Sequence, residues 1–211
     1  MSAVEIAEVV FESPADRADE WRVKPSAIRF LEVPGHRFVM IDGEGPPAEG
    51  AFATRMPGLY TTAYALRFGL KRRGVEERVG PLEGLWWTAD GRTDLDDIMD
   101  SVRGTWRWTL LIGLPDQATD VEVAGAFEAG RAKLDPTIAP SLRVERFAEG
   151  RAAQILHFGP YADERPTIER LHAGIAAAGL RPRSRHHELY LGDPRRSAPE
   201  KLRTMIRQPV E

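Results

Sequence analysis

Apolar residues recur along this chain with two different periods, and the switches between them mark out its elements. Ile28–Val33 and Arg37–Ile41 are apolar or alternating and rich in branched side chains, with Pro34-Gly35 between them, so they read as two extended pieces. From about Ala51 to Arg73 the apolar positions return at helical intervals, Tyr60, Tyr64, Leu66 and Phe68 among them. Lys71-Arg72-Arg73-Gly74 closes that stretch with the cations and glycine that suit a helix C-terminus. Met56-Pro57-Gly58 delays or breaks its start, because proline has no amide hydrogen to donate. Leu82–Thr88 and Thr105–Leu114 then read as strands, separated by an acidic loop centred on Asp90-Gly91 and Asp94–Asp100. The order is strand, helix, strand, strand.

A second helix is expected over roughly Asp120–Leu134, followed by a link at Ser141–Phe147, and then the same order returns. Ala153–Phe158 reads as a strand ended by Gly159-Pro160, Asp163–Ala178 as a helix with Leu171 and Ile175 at helical spacing, and His187–Leu191 and Arg203–Gln208 as strands. The letters correspond as well: Phe38–Gly43 matches Gln154–Gly159, and Thr109–Pro115 matches Arg203–Pro209. Neither unit buries a sheet face alone. The expectation is therefore an α+β fold of duplicated β-α-β-β halves, about residues 28–118 and 119–211, related by a pseudo-twofold with a ligand cleft between them. Residues 1–27 form a lead-in, with an acidic amphipathic piece around Val4–Phe11 and a turn or helix start at Ser13-Pro14-Ala15-Asp16.

Composition narrows the class. The chain has 211 residues, 42% of them hydrophobic, enough for a substantial core. Its 29 basic and 32 acidic residues leave a net charge of −3, which argues against nucleic acid as a partner, since that affinity rests on clustered positive charge. Cysteine is absent, so neither a disulfide framework nor a thiolate metal site is available. No apolar run approaches the roughly 20 residues that cross a bilayer, and the first residues carry acids where a signal peptide carries bases. The expected location is the cytoplasm, with no membrane partner.

The aromatic residues are concentrated. Four of the five tryptophans, Trp86, Trp87, Trp106 and Trp108, and two of the four tyrosines, Tyr60 and Tyr64, crowd one region, with Glu83 beside them. Such a group is either an aromatic-heavy core or the wall of a pocket for flat molecules. His186-x-Glu188 has the spacing of two metal ligands, but His36, His157 and His172 show no matching pattern, so neither a metal nor another cofactor is expected. Gly43, Gly45 and Gly91 read as turn glycines.

Pro81-Leu82-Glu83-Gly84-Leu85-Trp86, and His186-His187-Glu188-Leu189-Tyr190-Leu191-Gly192-Asp193-Pro194-Arg195-Arg196 with Ala198-Pro199-Glu200-Lys201-Leu202, resemble free-standing GyrI-like proteins over about residues 28 to 210. That resemblance implies a duplicated β-α-β-β (SHS2-like) fold whose groove binds flat, often cationic or aromatic small molecules. In related transcription regulators the module is joined to a helix-turn-helix, for which the residues ahead of the first strand leave no room. The two motifs look most like the subgroup of cyclopropanoid cyclopropyl hydrolases, which open the strained ring of DNA-alkylating antibiotics of the yatakemycin and CC-1065 type in an aromatic cage. The partner implied is a planar aromatic small molecule.

Strand alternation orients the candidates, because residues two apart share a face. Glu188 and Tyr190 point one way; Glu83 and Trp87 share a face, with Trp86 opposite. If the halves are equivalent, Trp87 and Tyr190 face one cleft. The resemblance makes Glu188 the carboxylate that holds the attacking water and Tyr190 or His187 the donor to the phenolate that forms. Tyr64, Glu83, Trp86, Trp87, Trp108 and His187 are candidate substrate contacts. His187, next to Glu188, faces away unless the strand bulges. Each has a structural alternative. The indoles and the Tyr60/Tyr64 pair, one helical turn apart, fill a core equally well, Glu83 caps or pairs structurally, and Glu188 bridges to Arg181, Arg183, Arg185 or Arg195. A binding protein without chemistry uses the same cage, and an inhibitor that binds other proteins is a third reading.

Overall fold

A computed structural model describes residues 9–22, 24–25, 27–46, 50–91 and 106–211. Most of the Val4–Phe11 piece and the acidic loop Asp94–Asp100 lie outside the described residues. The architecture is mixed α+β with antiparallel strands. Among the described residues no helix is long and apolar enough to cross a membrane.

Strand β1, Arg29–Glu44, is continuous over 16 residues and runs straight through Pro34-Gly35, where the sequence pattern suggests a break. A proline's fixed φ is compatible with extended backbone, so it interrupts a strand only where its missing amide is needed by a neighbour. Likewise Ser141–Phe147 is no mere link: Leu142–Phe158 forms one long strand, β4, of 17 residues.

The chain divides into two compact units, one central in the sequence and one built from its two ends. The central unit holds described residues within 35–148. Here β1 pairs with β3 (Trp106–Gly113), and β3 with β2 (Leu82–Thr88), both antiparallel. After a short α1 (Arg17–Glu20) of the other unit and the one-turn α2 (Gly50–Ala53), helix α3 runs over Met56–Arg72. It buries Leu59, Ala63, Leu66 and Leu70, the spacing of a single helical stripe. Helix α4, Asp120–Arg131, starts in a capping box in which Thr119 and Glu122 each satisfy the other's backbone amide. It packs on α3 at Gly130, where a β-carbon would collide with Thr62 and the Gly58 carbonyl. That contact places α4 in the central unit, whereas the sequence repeat divides the chain near residue 118.

The terminal unit holds described residues within 9–34 and 149–211. In it β4 pairs with β6 (Arg203–Pro209), and β6 with β5 (His186–Tyr190). Helix α5, Arg165–Ala177, buries Ile168, Leu171 and Ile175. The N-terminal segment joins this unit through a parallel bridge between Glu12 and Leu31 and an edge-on contact of Phe11 with Phe30 at 5.9 Å. Along the chain the order β1, α3, β2, β3 is followed, after α4, by β4, α5, β5, β6.

Candidate functional site

Register decides which side chains of the terminal unit meet. Tyr190 lies opposite Thr204, which lies opposite His157, while Glu188 lies opposite Ile206. Cross-strand partners share a face, so Glu188, Tyr190, Thr204 and His157 stand on one side of the sheet. The start of α5 covers that side, with Thr167 Oγ1 at 2.9 Å from His157 Nδ1. Tyr190 donates its hydroxyl to Glu188 Oε2 at 2.8 Å, and Tyr161 packs edge-on against the Tyr190 ring at 5.5 Å. His186, two residues back on the same face, brings Nε2 to 3.3 Å from Glu188 Oε1. The Glu188 side chain is 15% exposed, so it is sheltered yet reachable.

Glu164, immediately before α5, completes the group. It is buried, its Oε1 has no hydrogen-bond partner among the described residues, and burial together with the negative charge of Glu188 pushes its carboxyl up to about 9. Two carboxyls brought together out of water cannot both ionise cheaply, so the pair retains a proton near neutral pH. Sequence reasoning passed over Glu164. An acid at a helix start is an ordinary surface feature, and only the tertiary fold brings it to Glu188. Three of the four arginines weighed as partners for Glu188 have other partners: Arg181 pairs with Glu211, Arg195 with Asp193, and Arg183 donates to the carbonyls of Glu149 and Val210.

His187 does not join this group. Alternation turns it to the opposite sheet face, where it is buried and its Nδ1 lies 3.0 Å from Glu149 Oε1. Arg207, also buried, donates to Glu149 Oε2 at 2.9 Å. Burial pushes the Glu149 carboxyl up, but the charges of His187 and Arg207 more than reverse this and hold it at about 2. His187 is therefore part of an ionic network inside the sheet rather than a donor beside Glu188.

In the central unit the indoles sort by face. Trp86 lies opposite Trp108, which lies opposite Gly43. Gly43 is not a turn glycine: it sits within β1, and any β-carbon there would run into the Trp108 ring. Phe52 of α2 lies nearly parallel to Trp86 at 6.4 Å and edge-on to Trp108 at 5.2 Å, and Trp106 meets Trp86 at 5.9 Å. Trp108 Nε1 donates to the Gly45 carbonyl at 3.1 Å, and the Arg55 guanidinium lies 5.4 Å from the Trp108 ring centre. Trp86 is buried, but its Nε1 has no hydrogen-bond partner. Trp87 points the other way, packing with Phe147 against the cluster of Phe38, Met40, Leu85 and Leu111. Glu83, buried, shares that second face through its register with Leu111. Tyr64 stands apart from both groups, 43% exposed on α3 and stacked between Tyr60 at 6.3 Å and Phe68 at 6.1 Å.

Two cavities of about 310 and 250 Å³ lie along α3, lined chiefly by charged and small residues such as Arg67, Lys71, Glu77 and Gly125, and none of the predicted site residues lines either. Among the described residues no three histidines or carboxylates are arranged to hold a metal ion.

Comparison with known proteins gives three kinds of result. Residues 114–211 match the GyrI-like small-molecule-binding domain family. The chain is similar in structure to an uncharacterized conserved protein from Listeria innocua, at 32% identity over 91% of this chain and 96% of that one, with a TM-score of 0.77. It is also similar to two structures of hydrolases from Listeria innocua. One is 30% identical, covering 96% of this chain and 100% of that one, with a TM-score of 0.75; the other is 28% identical, covering 94% and 99%, with a TM-score of 0.74. No protein of curated function matches the chain.

Proposed function

We propose that this chain, residues 114–211 of which match the GyrI-like small-molecule-binding domain family, is a hydrolase that opens the cyclopropyl ring of planar, DNA-alkylating molecules of the yatakemycin and CC-1065 type, protecting the cell that makes it. The observation that carries the reading is the pair Glu164 and Glu188, one carboxyl held protonated beside one that is reachable from solvent. The two Listeria proteins named hydrolases support the reaction class.

The substrate is a spirocyclopropyl dienone, already electrophilic, so the protein's task is to position water and manage two protons. Glu188, oriented by the Tyr190 hydroxyl, takes a proton from water as the water oxygen bonds to the ring methylene. The carbon–carbon bond to the spiro centre breaks, and its electron pair passes through the dienone to the carbonyl oxygen. Glu164 gives its proton to that oxygen, yielding a phenol and a primary alcohol. Transfer of the proton now on Glu188 to Glu164 restores the starting state. Tyr161 and Tyr190 supply ring surface beside the carboxyls.

The test is direct: incubate the purified protein with a cyclopropanoid drug and search by mass spectrometry for the ring-opened, water-added product. Catalytic accumulation is expected. Stoichiometric binding without product would remove the hydrolase. The second reading, a binding protein without chemistry, is favoured by the match of residues 114–211 to a small-molecule-binding domain, a role that needs no proton transfer. It predicts quenched tryptophan fluorescence and an unchanged drug.

A further inference from the structure

The terminal unit buries a second polar cluster that the proposed chemistry does not use. On the sheet face opposite Glu188, Arg207 is 2% exposed. It donates Nε to Gln154 Oε1 at 2.8 Å and Nη1 to Glu149 Oε2 at 2.9 Å. Its other terminal nitrogen, Nη2, is buried with no hydrogen-bond partner among the described residues. A guanidinium is a planar fork suited to two parallel bonds with one carboxylate, and half of this fork is unfilled.

What lies beside it comes from the N-terminal segment. Glu20, the buried residue of the one-turn α1, brings Oε2 to 3.9 Å from Arg207 Nη1, and its backbone carbonyl accepts from Gln154 Nε2 at 2.6 Å. Glu149 thus sits a full ångström nearer the guanidinium than Glu20 does, so the two carboxylates are not equivalent. Glu149 is the near counter-ion of Arg207 and Glu20 the more distant one. Arg29 also holds the segment around Glu20: it donates to the carbonyls of Asp19 at 2.6 Å and Arg22 at 3.0 Å and meets the Asp19 carboxylate at 3.2 Å.

We propose that the Arg207 guanidinium is a carboxylate-binding seat, that the Glu20 carboxylate is its internal occupant, and that residues 16–22 are a strap which an external small carboxylate displaces. This goes beyond the ring-opening reaction and stands or falls separately from it.

Acetate is the probe, and the full chain is used throughout. Glu20→Ala empties the seat, so the thermal midpoint of this variant should rise saturably in sodium acetate, by about 4 °C at tenfold the dissociation constant. The same concentration of sodium chloride should lack that effect, and the wild type should respond to acetate far less. Amide hydrogen exchange in the wild type provides an independent measurement that does not depend on the variant's folding. Exchange at residues 17–22 should quicken as acetate is raised and stay constant in matched chloride. Identical responses to acetate and chloride in the variant, or wild-type exchange indifferent to acetate, overturn the proposal.

Discussion

Strands β2 and β5 each pair antiparallel, inside their own unit, with the strand that follows them in the chain, yet they carry opposite chemistry. The face of β2 beneath Phe52 presents Trp86, in register with Trp108. The face of β5 that meets the start of α5 presents Glu188 and Tyr190, close to Glu164. A cluster of rings is satisfied by packing and needs little else. A buried pair of carboxyls is satisfied only by keeping a proton, and a kept proton is one that can be delivered. The same backbone pattern therefore yields a packed aromatic cluster in one unit and, in the proposed reaction, the carboxyl pair that moves protons in the other.

Substitutions that exchange or remove these roles test the contrast. The largest effect is expected from Glu188→Gln, which keeps the shape of the side chain but removes the base. Turnover of a cyclopropanoid drug should fall by about 10³-fold, while fluorescence quenching on binding is retained. Glu149→Ala should be nearly as costly to the fold, because it strands Arg207 as a buried cation. A loss of about 4 kcal/mol is expected in urea denaturation. Gly43→Ala breaks the aromatic side of the comparison by forcing a methyl into the Trp108 ring, with an expected loss of about 2 kcal/mol by the same measurement.

The proton itself is read from pH. The Glu164 carboxyl is raised from 4.5 to about 9 in the folded state. Between those values the native protein holds a proton that the unfolded chain has released, so stability should fall as pH rises through that window. The slope from this one group approaches about 1.4 kcal/mol per pH unit. Glu164→Gln should abolish its share, leaving a flatter profile when denaturation midpoints are compared at pH 6 and pH 9. A Glu164→Gln profile as steep as the wild type's would show that the proton resides elsewhere. The smallest effect should come from Tyr64→Ala on the exposed side of α3, within about 0.5 kcal/mol of wild-type stability.

The strands and helices themselves were largely legible in the sequence. Leu82–Thr88 is the strand its alternation predicts, and Met56 begins α3 where the proline was expected to delay it. Breaks were read too eagerly at Pro34-Gly35 and between Phe147 and Ala153, because residue type reports what a position tolerates and not which amides a neighbour needs. In the site, alternation placed Glu188 beside Tyr190 and turned Trp86 away from Trp87. It had no means of seeing Glu164, 24 residues earlier in the chain, because its role depends on where the first turn of α5 lands. Gly43 misled for a related reason, since the ring that requires it belongs to Trp108 on another strand.

The central claim is that the carboxyl pair of the terminal unit adds water to a strained ring, and single-turnover mass spectrometry in heavy-oxygen water tests it most directly. With excess wild-type protein, a cyclopropanoid drug should be converted to a ring-opened alcohol carrying the heavy oxygen, and Glu188→Gln should give product only at the rate of the protein-free control. Bound but unconverted drug with the wild type, or equal conversion by Glu188→Gln, would contradict the account.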